Sequence, residues 1–290
     1  NIRNIIIDNY IGLVRLEMLN KFNKNLLCFI YISFFVFLPQ NIFAIEESNY
    51  IPCENKECNP EWGPTWIKFY KGEEDKPALI WYGGGKGTFL NIDYQPIDSL
   101  VNKFDIIFVA SPIPVISNAS TKGFPTNAYN KYAVNRMRQV TEYYKKKLNK
   151  PIWIGGTSSG GVRLIAILAG NEKNRQSDNY AGLIFASTYL AKLHQGQTTM
   201  NIRTSSIKYK MDLPILILQH SRDLKPAQHP KLQKIFKNAL AKKNSNKTEL
   251  MLLTEGDPVT TTFDGGHHHF FTNKDEFGRV LSKFILDNTN

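Results

Sequence analysis

The 290-residue chain is 42% hydrophobic and 12% aromatic, which excludes wholesale disorder and is enough apolar material for one large core. Its formal net charge is +11, but the lysines are spread along the chain, and no arginine-rich stretch interleaved with aromatic residues occurs. We therefore expect a solvated basic surface and no nucleic-acid partner.

The N-terminal region has the parts of a secretory signal peptide. Lys21 and Lys24 precede the apolar run Leu26–Leu38, and the small residue Ala44 follows a few positions later. The run is shorter than the roughly 20 residues that cross a bilayer comfortably, so a cleaved leader is favoured over an uncleaved membrane anchor. We expect residues 1–44 to comprise upstream residues and the signal peptide, with cleavage near Ala44.

The remaining chain, residues 45–290, is predicted to form a single exported domain, periplasmic or secreted. Its membrane contact is then limited to the signal segment. Cys28 leaves with the leader, and only Cys53 and Cys58 remain. Two nearby cysteines in an exported chain favour a local disulfide, and no further ligands adjoin them for a metal site.

Strand-like and helix-like stretches alternate after a polar, turn-rich lead-in at residues 46–64. Predicted strands are Trp66–Tyr70, Ala78–Tyr82, Asp105–Ala110, Pro151–Ile154, Ala181–Ala186, Ile215–Leu218 and Glu249–Leu253. Predicted helices are Asn127–Leu148, Gly161–Leu168, Pro230–Ala241 and Lys274–Leu286. This alternation predicts an α/β fold, a three-layer sandwich whose mostly parallel central sheet is flanked by helices. Ligands bind such sheets at the carboxyl ends of the strands.

The first cluster at such an end is Gly83-Gly84-Gly85-Lys86-Gly87, directly after the strand Ala78–Tyr82, and it is called the glycine loop below. Backbone N–H groups of Gly84 and Gly85 are candidates for an oxyanion hole, together with the N–H of Ser159. The loop has no Gly-Lys-Ser/Thr ending, which argues against a phosphate-binding P-loop.

The second cluster has the pattern Gly156-x-Ser158-x-Gly160 between an apolar strand and an apolar helix. A nucleophile at that place sits on a very tight turn, and glycines two residues to either side give the neighbouring chain room to pass. The following helix directs free N–H groups toward the site. Ser158 is thus the predicted nucleophile; Ser159 fits the pattern less well, because Thr157 then replaces the first glycine.

An acid is expected next in chain order, and Asp223 follows the strand Ile215–Leu218 closely enough to reach the site. Its alternative role is as a turn or helix-capping residue. Asp257 and Asp264 are the other candidates, both nearer the histidines in sequence.

The base is expected in Gly265-Gly266-His267-His268-His269, after the strand Glu249–Leu253. His267 directly follows the glycine pair and is the first choice for the general base; His268 is the alternative, and His269 comes last. A metal site formed by the three histidines is the other interpretation, but neighbours in an extended loop point in different directions.

From about Trp66 to the C-terminus, these motifs and their order resemble the α/β-hydrolase family. The resemblance implies a triad of Ser158, Asp223 and His267 and requires no metal or organic cofactor. Tyr82 stands where the esterase and lipase branch of that family often has a histidine before its glycines. The segment Ser187–Met211, which looks polar and irregular, lies where the family usually inserts a lid or cap.

The sequence thus predicts an exported serine hydrolase that cleaves ester or related acyl bonds in a small-molecule or acyl substrate through an acyl-enzyme. A peptidase or an acyltransferase uses the same residues and is not separated from an esterase by the motifs. Two other classes stay open: a binding protein that has kept the fold without catalysis, and a metal-binding exported protein built on the three histidines.

Overall fold

The computed structural model describes eleven parts of the chain, all within the compact unit Ala44–Asn290. They are residues 46–51, 65–84, 97–110, 131–168, 179–190, 192–194, 197–199, 210–223, 229–256, 270 and 273–289.

The strands of the described residues are β1 (Glu46–Ile51), β2 (Thr65–Tyr70), β3 (Ala78–Tyr82), β4 (Asp105–Ala110), β5 (Ile152–Thr157), β6 (Gly182–Ala186), β7 (Lys192–His194), β8 (Gln197–Thr199), β9 (Ile215–His220) and β10 (Thr248–Leu253). Eight of these form one sheet, in the order β1-β2-β4-β3-β5-β6-β9-β10, and β7 and β8 form a separate two-stranded sheet. The pairs β1–β2 and β2–β4 are antiparallel, whereas all pairs from β4 to β10 are parallel.

Helices cover both faces of the large sheet. They are α1 (Lys131–Leu148), α2 (Ser159–Leu168), α3 (Pro230–Ala241) and α4 (Lys274–Asp287), with a 3₁₀ turn at Asp98–Leu100. Residues of α1, α2 and α3 join one buried apolar cluster, and residues of α4 and the 3₁₀ turn join another. The central strands β3, β5, β6 and β9 are buried along their whole length, as strands covered on both faces must be.

The predicted α/β three-layer sandwich is therefore confirmed. The strands Ala78–Tyr82 and Asp105–Ala110 and the helix Pro230–Ala241 occur with the predicted bounds, and the strand predicted to end at Ile154 continues to Thr157. None of the described helices is long and apolar enough to cross a membrane.

Two segments predicted to be irregular contain strands. The lead-in includes β1, a polar strand that pairs with β2 from Glu46↔Tyr70 to Ile51↔Thr65. The segment Ser187–Met211 includes the hairpin β7–β8. Neither segment has the apolar alternation that predicts a strand. Each is extended because main-chain hydrogen bonds join it to a partner strand.

The parallel part of the sheet brings the carboxyl ends of β3, β5, β6, β9 and β10 to one edge. The ladder runs one residue past several of these strands. Ser158 N–H donates to the Ala186 carbonyl at 2.9 Å, Ser187 N–H to that of Leu218 at 2.8 Å, and Ser221 N–H to that of Leu253 at 2.9 Å. The segments that follow these strands, including the glycine loop and the segment ending in Asp223, therefore all start at this edge.

Candidate active site

Ser158 occupies the single residue between β5 and α2, in the left-handed backbone region at φ 55°. A non-glycine residue in that region carries strain, and such strain persists where the surrounding structure holds it. Here the Ser158 N–H is bound to Ala186, and its carbonyl accepts from Val162 N–H at 3.3 Å. The residue is 9% exposed. The turn thus holds one small hydroxyl residue at the edge where the strands end.

Gly156 and Gly160 make this tight turn sterically possible. A Cβ on Gly156 would lie 2.6 Å from the carbonyl carbon of Gly160. A Cβ on Gly160 would overlap the carbonyl oxygen of Tyr82 and lie 2.9 Å from that of Gly83. All of these neighbours are backbone atoms, which cannot rotate away as a side chain can. Only glycine fits at the two positions that the motif requires.

The same contact shows where the glycine loop begins. Gly83 lies against Gly160, so the chain leaving β3 passes directly over the first turn of α2. Gly84 is half-buried at this place, whereas Gly85 lies outside the described residues. Ser159 is the first residue of α2, where backbone N–H groups have no partner within the helix. The start of the loop and the N-terminus of α2 therefore lie next to each other.

Asp223 follows β9 and is only 3% exposed. Gln219, the penultimate residue of β9, donates from Nε2 to Asp223 Oδ2 at 2.8 Å. The Asp223 N–H closes the turn by donating to the His220 carbonyl at 3.1 Å. A buried carboxylate needs such partners, since burial without them disfavours its charge. Gln219 fixes one carboxylate oxygen and thereby sets the orientation of the group.

The three candidate histidines, His267, His268 and His269, lie outside the described residues, but both ends of their segment are described. At one end Gly256 follows β10, the strand that pairs with β9. At the other end Phe270 is fully buried, with its ring 4.8 Å from that of Phe277 in α4. The segment therefore leaves the described structure after β10 and rejoins it against α4.

His220, the last residue of β9, is fully buried beside Asp223. Its Nδ1 accepts from Arg222 N–H at 3.1 Å, so Nε2 carries the proton and donates to the Glu255 carbonyl at 3.0 Å. Desolvation by burial lowers the pKa of His220, and the hydrogen bond to Glu255 opposes that shift. Arg222 lowers the pKa further, whereas Glu276 and Asp223 raise it. The geometry and the pKa both favour the neutral imidazole.

We expect His220 to make the protein less stable in acid. Because folding lowers its pKa, the unfolded chain binds the proton more readily, and stability falls as the pH drops through about 6.5 and below. Urea unfolding at pH 7.5 and pH 5.0 measures the effect. In His220→Asn, whose side chain does not titrate, the loss of stability between these two pH values should be smaller. An equal loss in both proteins would contradict the assignment.

Reasoning from the sequence missed three side chains at this edge: Gln219, Arg222 and Glu276. Gln219 could have been noticed because it is a polar residue directly after the apolar run Ile215–Leu218. The pattern Asn273-x-x-Glu276 at the start of α4 was the signal for Glu276, since it resembles a capping box. Nothing in the sequence shows that Arg222 and Glu276 meet the segment after β10.

Several other predicted residues lie outside the described part of the chain: Cys53 and Cys58, and the alternative acids Asp257 and Asp264. Within the described ranges, no group of three or more His, Cys, Asp or Glu side chains is arranged to hold a metal ion.

Comparison of the sequence with protein-family models and with curated proteins finds no match. Solved structures do match. A hyperthermophilic esterase from the archaeon Pyrobaculum calidifontis is 12% identical with a TM-score of 0.54, over 83% of this chain and 82% of that one. An α/β serine hydrolase without a lid from Xanthomonas campestris is 10% identical with a TM-score of 0.51, over 84% and 95%.

A third similar structure is oligopeptidase B from Leishmania major, 11% identical with a TM-score of 0.53. The match covers 86% of this chain but only 38% of that larger protein. All three structures share the layered arrangement of sheet and helices described above. At sequence identities of 10–12%, the similarity shows a shared fold. The protein has the α/β-hydrolase fold.

Proposed function

We propose that this protein is a serine hydrolase that cleaves ester or related acyl bonds through an acyl-enzyme on Ser158. The observation that carries the proposal is the conformation of Ser158, at φ 55° between β5 and α2, with Gly156 and Gly160 packed against backbone atoms. A strained serine at the carboxyl edge of such a sheet is the arrangement that presents a nucleophile.

In this mechanism the Ser158 hydroxyl attacks the acyl carbonyl carbon, and an imidazole from the segment 267–269 accepts its proton. We assign that role to His267, with His268 as the alternative. Asp223, oriented by Gln219, holds the imidazole and stabilises its charged form. N–H groups of Ser159, Gly84 and Gly85 bind the oxyanion. The imidazole then returns the proton to the leaving group, and water releases the acyl group by the same steps in reverse order.

The substrate class that we propose is a small-molecule or acyl ester. An amide or peptide bond is the second candidate, favoured by the fold shared with oligopeptidase B. Of the three solved structures described above, two match over most of their own length: one is a named esterase and the other a serine hydrolase without a lid. We therefore place ester hydrolysis first.

Export is part of the proposal. A basic patch followed by the apolar run Leu26–Leu38 supports a leader that is cleaved near Ala44. The mature domain then reaches an oxidising compartment, where Cys53 and Cys58 are free to form a disulfide. N-terminal sequencing of the protein recovered from the expressing cells tests the cleavage site.

We expect a fluorophosphonate probe to label Ser158 in the folded protein, because only an activated serine reacts with it at a useful rate. Mass spectrometry of the tryptic peptide gives the site of the adduct, and urea-unfolded protein is the control for chemical reactivity alone. In parallel, release of p-nitrophenol from short esters is compared with cleavage of aminoacyl amides. No adduct on Ser158 would overturn the proposal, and amide cleavage without ester cleavage would favour a peptidase.

A further inference from the structure

Residues 257–269, which end in the three histidines, are called the histidine segment here. The three residues directly before it, 254–256, are held in place by side chains from two other elements. Arg222 Nη2 donates to the Thr254 carbonyl at 3.0 Å and to the Gly256 carbonyl at 2.6 Å. His220 Nε2 donates to the carbonyl between them, that of Glu255. Each carbonyl oxygen of this segment thus has a partner from the turn that ends in Asp223.

The N–H groups of Thr254 and Glu255 are bound by a different element, α4. The Glu276 carboxylate, only 8% exposed, accepts from Thr254 N–H and from Glu255 N–H, each at 3.0 Å to Oε2. Asn273 Nδ2 donates to the same carboxylate at 3.2 Å. Glu276 lies in the first turn of α4, the helix that follows the histidines. Residues on both sides of the histidine segment are therefore joined by one carboxylate.

We propose that Arg222 and Glu276 are positioning residues of the catalytic site. Together they fix where the histidine segment starts relative to Asp223, which follows Arg222 directly in the chain. This inference rests on the proposed hydrolase function, and it assigns a role to residues that do not touch the substrate.

The chemistry of the contacts supports a positioning role. Five backbone groups of three consecutive residues are bound by charged or polar side chains, and charge-assisted hydrogen bonds are shorter and stronger than neutral ones. Because the partners are backbone groups, they fix the path of the chain whatever the side chains of 254–256 are. A base on a long segment needs such a fixed start, since a displacement of about 1 Å at a reacting group costs on the order of 100-fold in rate.

The test is Glu276→Ala beside Glu276→Gln in the full chain, assayed with p-nitrophenyl acetate. We expect the alanine variant to lose roughly 10- to 100-fold in kcat while KM changes by about threefold or less. The glutamine variant keeps one side-chain carbonyl oxygen for the two N–H groups, so it should recover part of kcat. Amide exchange at Thr254 and Glu255 should be faster in the alanine variant and intermediate in the glutamine variant.

Arg279→Met is the matched control. Arg279 lies one turn further along α4 and also reaches this segment, but through an exposed ion pair with the Glu255 side chain at 2.6 Å. It touches no backbone group there in the part of the chain that the structure describes, so kcat should stay within about twofold of the wild type.

Two results would overturn the positioning role: an unchanged kcat in a folded Glu276→Ala variant, or a loss of kcat that the glutamine variant does not relieve at all. Failure of the proposed function is seen separately. In that case the wild-type protein itself neither hydrolyses the ester nor reacts with the fluorophosphonate, whereas failure of the positioning role alone leaves wild-type activity intact.

Discussion

Replacement of Ser158 with alanine should lower kcat for ester hydrolysis on the order of 10⁴- to 10⁶-fold, with little change in folding. The change removes the hydroxyl that forms the acyl-enzyme in the proposed mechanism. The oxyanion N–H groups and substrate binding remain, so a small rate above that of water persists. Initial rates with p-nitrophenyl acetate give the effect, and circular dichroism checks the fold.

Alanine is strained at φ 55°, as serine is, so the backbone cost of this substitution is small. The matched control is Ser159→Ala at the next position. That variant keeps the backbone N–H proposed for the oxyanion hole and loses only a hydroxyl, so most activity should remain. If Ser159→Ala is the inactive variant and Ser158→Ala is active, the nucleophile has been assigned to the wrong serine.

The framework of the site could be predicted from local sequence because each part has a local physical signal. Buried central strands are continuous apolar runs, as in β6 and β9. The turn at Ser158 needs glycines at fixed offsets, and both glycines are visible in the sequence. Asp223 follows an apolar strand within a few residues. Each of these signals lies within a short window of sequence.

The parts that were missed depend on partners far along the chain. β1 is polar and becomes a strand through its pairing with β2. Glu276 meets Thr254 across a sequence separation of 22 residues, and Arg222 meets Gly256 across 34. No short window of sequence contains both members of such a pair, so neither could be inferred from pattern alone. The choice among three adjacent histidines is of the same kind, because it depends on how the segment is positioned.

Replacement of Gly160 with alanine should destabilise the protein by about 2–4 kcal/mol, because the new methyl group has no space. It would overlap the Tyr82 carbonyl oxygen and lie 2.8 Å from the Tyr82 carbonyl carbon. Relief requires β3 and α2 to move apart, and both are held by the buried sheet. For a domain of this size we expect the melting temperature to fall by about 5–10 °C, as measured by calorimetry.

Gly278→Ala is the control for adding a methyl group to a buried helical glycine. There the nearest atom is the Ser99 hydroxyl, the end of a side chain that can rotate, and alanine also favours the helix by up to about 1 kcal/mol. Its stability should change by about 1 kcal/mol or less. An equally small change for Gly160→Ala would mean that the glycine loop is not pressed against α2.

Gly160→Ala can lower activity in two ways, by unfolding part of the protein and by displacing the glycine loop in the folded protein. Assays at different temperatures separate these two effects. Well below its melting point the variant is fully folded, so any remaining loss of kcat reports displacement of the glycine loop from the turn at Ser158. Gly83 lies against Gly160, and the amides proposed to bind the oxyanion follow Gly83 directly. Loss of one such donor costs about 3 kcal/mol in the transition state. We therefore expect kcat at 20 °C to fall roughly 100-fold while KM stays near the wild-type value, because the oxyanion forms only in the transition state.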